Sequence, residues 1–145
     1  MAVTDLQVAT LRAQLAGDLE EHKRLLAQFD ENADGRPYAT LTNAAFVEAV
    51  DRKFSSDTTA DDVIEFVGDV RSRSERVRVS LDPRLAERVL LAAVTDEDIS
   101  DLDPREVRRS QRILLNALIV DEDLDGARLD EFMATARGLA DRLLS

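Results

Sequence analysis

The sequence predicts an all-α, single-domain protein: a helical bundle or irregular array of about six helices over residues 1–145. Three observations predict this fold class. Aliphatic side chains recur every three or four positions, which is the period of an amphipathic helix. Only five Gly and three Pro occur, so few residues are suited to the turns of a many-stranded sheet. Aromatic residues are only 4% of the chain, so the expected core is aliphatic and rich in the good helix formers Ala and Leu.

The first predicted helix begins near Thr4 and ends around Asp30. Thr4 and Gln7 have the spacing of a capping box, in which each side chain binds a free backbone donor at the helix start. Apolar residues then follow at helical intervals: Val8, Leu11, Leu15, Leu19, Leu25, Leu26 and Phe29. Residues 31–37 are rich in Asn, Asp, Gly and Pro, which predicts a loop.

The second predicted helix extends from Ala39 or Thr42 to Phe54. The third begins at Thr58 or Thr59, and its apolar face is Val63, Phe66, Val67 and Val70. Residues 71–80 lose the helical period. Alternation at residues 76–80 leaves a short extended segment open as an alternative.

Two Asp-Pro pairs, at 82–83 and 103–104, mark the starts of two further helices. Asp is a favoured N-cap, and Pro is tolerated at the first helical position. The helices that follow are predicted to end near Ala93 and Val120. The last helix is predicted from about Ala127 to Leu144.

Charge and composition restrict the partners that we expect. The chain has 19 basic and 30 acidic residues and a formal net charge of −11. Nucleic-acid binding draws on Lys and Arg that release phosphate counterions, so nucleic acid is not an expected partner. The absence of Cys excludes disulfides and Cys-ligated zinc. The longest apolar stretches, 89–94 and 113–120, are far below the ~18 residues of a membrane span, and with no apolar leader they predict a cytoplasmic protein without membrane association.

Two acidic segments begin like the calcium loop of an EF-hand, with oxygen-bearing side chains at positions one, three and five and Gly at position six. The candidate ligands are Asp30, Asn32 and Asp34 in segment 30–41, and Asp121, Asp123 and Asp125 in segment 121–132. Position twelve, a bidentate Glu in EF-hands, is Leu41 in one segment and Phe132 in the other. Ordinary helix capping is therefore favoured, and divalent-cation binding is the alternative functional hypothesis.

An arginine stripe is the second candidate site. Four arginines at i, i+3, i+4 and i+7 share one helix face: Arg105, Arg108, Arg109 and Arg112. Such a face can bind phosphate or an acidic partner. A second cluster allows the same interpretation: Arg71, Arg73, Arg76 and Arg78. A solvated, salt-bridged face, with the stripe neutralised by the acidic run at 96–103, is the favoured explanation, and partner binding is the alternative.

His22 is the single histidine, four residues after Asp18. A carboxylate that orients an imidazole is a catalytic or metal-binding arrangement in principle. No second His, G-x-S-x-G elbow or phosphate-loop motif accompanies it. A partly buried structural His22 is therefore favoured. The sequence predicts no catalytic residue and no cofactor, and it favours a protein that is not an enzyme.

Four segments resemble pieces of small, acidic, all-helical proteins of actinobacteria: residues 45–50, 62–71, 81–88 and 113–118. The resemblance covers helical surfaces and caps rather than a site. It implies a stand-alone cytoplasmic protein and no particular mechanism. From the residues themselves, the leading hypothesis is a non-catalytic interaction or regulatory module that binds another protein or a second copy of itself.

Overall fold

A computed structural model describes residues 1–145, of which 77% are helical and none form a strand. The all-α class is confirmed, but eight helices replace the predicted six. In chain order they are α1 (Asp5–Leu15), α2 (Leu19–Leu26), α3 (Glu31–Lys53), α4 (Ala60–Ser72), α5 (Glu75–Ser80), α6 (Pro83–Thr95), α7 (Pro104–Asp121) and α8 (Gly126–Leu144). None of them combines the length and the apolar character that crossing a bilayer requires.

The chain divides into two compact units. The first consists of residues 1–48 and 119–145, and the second of residues 49–118. Helices α3 and α7 supply residues to both units. The single-domain organisation stays a prediction.

In the first unit, the long first helix of the prediction is divided into α1 and α2. Gly17 lies between them with a φ of +82°, a left-handed conformation that suits glycine because it has no Cβ. The carboxylate of Asp18 then caps α2 by accepting the N–H of Glu21 at 3.1 Å. The apolar stripe predicted to continue through this region is wrong, since Leu19 is 58% exposed and Leu26 is 42% exposed.

Residues 31–37 form the first turns of α3 rather than the predicted loop. The Asp34 carboxylate accepts the Asp30 N–H at 2.8 Å, and Asp30 Oδ1 accepts the Asn32 N–H at 2.9 Å. These bonds satisfy backbone donors that a helix start leaves unpaired. The other oxygen of Asp34 accepts from Gln7 Nε2 at 2.7 Å. The loop prediction is wrong because these acids bind the backbone of the first turn.

The N-terminal segment of the first unit is bound to α8. The Val3 N–H donates to Asp141 Oδ1 at 2.8 Å, and Arg137 donates to the Val3 carbonyl at 2.7 Å. A second nitrogen of Arg137 reaches Asp5 at 2.7 Å. Val3 is consequently buried although it precedes the first helix.

In the second unit, predicted caps and apolar faces are found where expected. Thr59 and Asp62 form a capping box at the start of α4, whose predicted apolar face is buried: Val63, Phe66, Val67 and Val70. Asp82 caps α6 by accepting the Leu85 N–H at 3.0 Å, with Pro83 at the first helical position. Residues 75–80 form the short helix α5, not the extended segment left open for 76–80.

Candidate functional site

An open depression with a volume of about 270 Å³ is formed by α5 and α7 in the second unit. Three arginines line it: Arg76 from α5, and Arg109 and Arg112 from α7. Its other polar lining residues are Ser80 and Asn116, and none of its lining residues is acidic. In a chain with a net charge of −11, the depression is thus a local concentration of basic side chains.

Each of the two helices lines the depression with a few residues. On α7 the lining residues follow the i, i+3, i+4, i+7 spacing of one helix face: Arg109, Arg112, Ile113 and Asn116. The apolar lining residues are Val77 on α5 and Ile113 on α7, and both are half-buried. The depression therefore combines three exposed cationic groups with a small apolar portion.

Helix α5 has six residues, too few to be stable by itself, and its neighbours hold both ends. Ser74 Oγ accepts the Val77 N–H at 3.1 Å at the start of the helix. At its other end, the Arg71 guanidinium from α4 donates to the Leu81 carbonyl at 2.9 Å and the Arg78 carbonyl at 3.1 Å. Arg71 thus satisfies terminal carbonyl groups of α5 and fixes the helix that carries one wall of the depression.

The four arginines of the 71–78 cluster differ in their partners. The first of them caps α5, as described above. Arg73 pairs with Asp69 at 2.8 Å, and Arg78 pairs with Glu75 at 2.6 Å. The Arg76 side chain has no hydrogen bond or ion pair within the protein. The arginine of this cluster that reaches the depression is therefore the one without an internal partner.

The four arginines of the predicted stripe on α7 also differ in whether they line the depression. Arg109 and Arg112 line the depression, whereas Arg105 and Arg108 do not. All four side chains are exposed, and none of them forms an ion pair with an acidic side chain. Only the last two members of the stripe therefore line the depression, and a partner-binding role for any of the four stays a prediction.

From the sequence, the acidic residues at 96–103 are the expected ion-pair partners of the arginine stripe on α7. Asp101 instead accepts both terminal nitrogens of Arg88, at 2.7 and 2.9 Å. These hydrogen bonds lower the pKa of Asp101 from its ordinary value. Asp98 accepts the Ser100 N–H at 2.9 Å, which lowers the pKa of Asp98 as well. Asp103 accepts the backbone N–H of Arg105 at 2.9 Å, and no acidic side chain of the run forms an ion pair with the four α7 arginines.

The acidic segments show no convergent set of ligands. Asp30, Asn32 and Asp34 lie at the start of α3, where both oxygens of Asp34 already accept internal hydrogen bonds. In segment 121–132, Asp121 ends α7, Asp123 has a φ of +53°, and Asp125 precedes α8 without a side-chain cap bond. No group of three or more His, Cys, Asp or Glu side chains is arranged to hold a metal ion. Cation binding stays a prediction that this geometry does not favour.

His22 is bound to the backbone of α1. Its Nδ1 lies 2.9 Å from the Thr10 carbonyl oxygen, and because a carbonyl can only accept, Nδ1 carries the proton in this bond. Asp18 does not orient the imidazole, since its carboxylate caps α2. The arrangement matches the structural role that the sequence favoured for His22.

The sequence places Arg76 in one arginine cluster and Arg109 and Arg112 in another, and no spacing along the chain relates the two clusters. The missing element was α5. Its signals were Ser74 at an N-cap position and the i, i+3 pair formed by Glu75 with Arg78, but the alternating pattern at 76–80 obscured them. The juxtaposition of the three arginines depends on tertiary structure.

The chain matches no protein family, no curated protein and no solved structure. The resemblance of four of its segments to actinobacterial helical proteins therefore stays a prediction.

Proposed function

We propose that this protein is a non-catalytic helical interaction module that binds an acidic segment of a partner protein at the depression between α5 and α7. One observation carries the proposal. Arg76, Arg109 and Arg112 line one depression without an internal partner and without an acidic neighbour among its lining residues. We also propose that the protein is cytoplasmic and that its helices form a single domain.

The pairing of other arginines supports an external ligand for these three. Arg73, Arg78 and Arg88 each have a carboxylate partner, so this acidic chain readily supplies such partners. A guanidinium binds a carboxylate or phosphate through parallel N–H donors, with greater strength than a neutral hydrogen bond. Arginines grouped around a concave surface are therefore suited to an anion from another molecule.

The size and lining of the depression indicate what kind of segment fits. Small-molecule pockets occupy about 300–1,000 Å³, and this depression of about 270 Å³ is suited to one or two side chains. Val77 and Ile113 offer an apolar contact beside the arginines. A segment in which an anionic side chain lies next to an apolar one would use both features.

Peptide binding to the whole protein tests the proposal. The probe is a fluorescein-labelled peptide of alternating Glu and Leu, and a peptide of alternating Lys and Leu is the control. We expect binding of the acidic peptide only, measured by fluorescence anisotropy. A charged hydrogen bond contributes about 1.5 kcal/mol or more, which is about tenfold in affinity. Replacing all three lining arginines by Gln should therefore weaken binding by about tenfold for each arginine that contacts the peptide.

A matched variant separates the depression from net charge. Arg36, Arg84 and Arg128 are also exposed, have no side-chain partner and lie outside the depression. Replacing these three by Gln changes the net charge by the same amount and should leave peptide binding nearly unchanged. Equal losses in the two triple variants, or no binding by the unaltered protein, would contradict the proposed function.

A further inference from the structure

We infer that the group bound at the centre of the depression is a phosphate monoester carried by the partner segment, such as a phosphorylated serine; this inference rests on the proposed function. It extends that function from acidic segments in general to phosphorylated ones. The observations that carry it are the number of cationic groups, their origin on two helices, and a further hydroxyl donor beside them.

The charge of the site exceeds what one carboxylate can match. Arg76, Arg109 and Arg112 bring three positive charges to a depression with no acidic lining residue. A carboxylate contributes one negative charge and two oxygens, whereas a phosphate monoester carries about −1.5 to −2 at pH 7 and three terminal oxygens. The phosphate therefore leaves less positive charge unmatched when the partner covers the depression.

The arrangement of donors also fits a group with three terminal oxygens. Arg76 projects from α5, and Arg109 and Arg112 lie three residues apart on α7, so the guanidinium groups come from two elements rather than one row. Each can donate to a different phosphate oxygen. A planar carboxylate has too few oxygens to give each of the three guanidinium groups its own acceptor.

Ser80 provides a further donor in the depression. Its side chain is half-buried, and its hydroxyl forms no hydrogen bond within the protein. A hydroxyl can donate to a phosphate oxygen while the arginines occupy the others. The limited volume, about 270 Å³, leaves room for one such group and the carbon chain that carries it, which would contact Val77 and Ile113.

Three labelled peptides of identical acidic and apolar sequence test the inference on the whole protein, with phosphoserine, Glu or Ser at the central position. We expect the phosphoserine peptide to bind about tenfold more tightly than the Glu peptide, because more charge-assisted bonds form. Inorganic phosphate should compete with it. Ser80→Ala should weaken binding of the phosphoserine peptide and reduce its advantage over the Glu peptide.

The dependence on pH gives a second readout. The second pKa of a phosphate monoester is about 6, so affinity for the phosphoserine peptide should fall between pH 7 and pH 5.5. The arginines stay protonated over this range. Affinity for the Glu peptide should change little by comparison, because Glu remains ionised.

The outcomes separate the inference from the proposed function. Equal affinities for the Glu and phosphoserine peptides, without competition by phosphate, would overturn the inference and leave the proposed function standing. No binding of any peptide would overturn both. A 5′-phosphorylated oligonucleotide that binds more tightly than the phosphoserine peptide, or inorganic phosphate that binds without any gain from the peptide, would overturn the assignment to a phosphorylated protein segment.

Discussion

Gln7 Nε2 donates to Asp34 Oδ1 at 2.7 Å, between two buried side chains that lie 27 positions apart in the sequence. The bond joins α1 to α3 within the first unit. Gln7 also caps α1 through its Oε1 atom, which accepts the Thr4 N–H at 2.9 Å. One amide side chain thus fixes the start of the first helix and its contact with the third.

Replacing Asp34 by Ala should lower the free energy of unfolding by about 1–3 kcal/mol, because the Gln7 amide is left buried without its acceptor. Urea unfolding measures the change as a lower midpoint with an unchanged slope. Asp51→Ala is the control, because Asp51 is exposed and surface changes are usually within about 0.5 kcal/mol. A similar effect of the two substitutions would show that the buried bond contributes no special stability.

Calcium at millimolar concentration should leave the melting temperature unchanged. A ligand that binds only the folded state raises stability with its concentration, but Asp34 is already hydrogen-bonded and no group of acidic side chains is arranged around a cation. Thermal unfolding with and without calcium provides the measurement. A rise in melting temperature that disappears in Asp123→Ala would restore the cation-binding hypothesis.

Two exposed threonines should respond differently to replacement by Ala. Thr59 caps α4, so Thr59→Ala should cost about 1 kcal/mol of unfolding free energy. Thr135 lies within α8 and bonds back to the Glu131 carbonyl, so Thr135→Ala should be neutral or stabilising, since Ala has the higher helix propensity. Chemical denaturation of both variants measures the two changes. Equal losses of unfolding free energy would contradict the capping role of Thr59.

Stability should depend on pH through Asp101. Hydrogen bonds from Arg88 lower the pKa of Asp101 in the folded protein, so the pair stabilises the fold above the unfolded-state pKa, about 4, and this contribution is lost as the pH falls through the lower folded-state pKa. The unfolding free energies of the unaltered protein and Asp101→Asn should therefore differ slightly at pH 7 and converge below about pH 4. A difference that grows on acidification would contradict this sign.

Arg71 should affect peptide binding although it does not line the depression. Arg71→Met removes the donors that hold the last turn of α5, so Arg76 loses its fixed position and affinity for the acidic peptide should fall. Arg84→Met is the control, since Arg84 is exposed and has no side-chain partner. Anisotropy titrations compare the two variants, and equal affinities would remove the positioning role.

Helix starts were the part of the fold most accessible from the sequence. The capping box of Thr4 with Gln7 and the cap at Asp82 are both present as predicted. Each depends on residues within one turn of the chain, so local spacing is sufficient to predict it. The buried face of α4 was predictable for the same reason, because its period is local.

Two predictions were wrong for different reasons: at residues 31–37 local side-chain bonds outweighed a loop-like composition, and at residues 75–80 a side chain from another helix stabilises a short helix. Pro37 lies inside α3, where its missing N–H removes one helical hydrogen bond, but Asp30 and Asp34 satisfy the start of that helix. Helix α5 similarly depends on the Arg71 side chain, which comes from α4. The sequence could predict the two parts of the candidate site only separately. That Arg76 and Arg109 line the same depression depends on tertiary structure, which no spacing within either helix contains.

Gly17 lies between α1 and α2 and is exposed to solvent. Its φ is in the left-handed region, which L-amino acids rarely adopt. At residue 17 the backbone therefore has a conformation that a residue of the opposite chirality adopts readily. Among the genetically encoded residues, glycine accommodates that conformation because it is achiral. A D-alanine introduced there by chemical synthesis would fit the native backbone and restrict the unfolded chain. The same methyl group should therefore destabilise the fold as L-alanine and stabilise it as D-alanine.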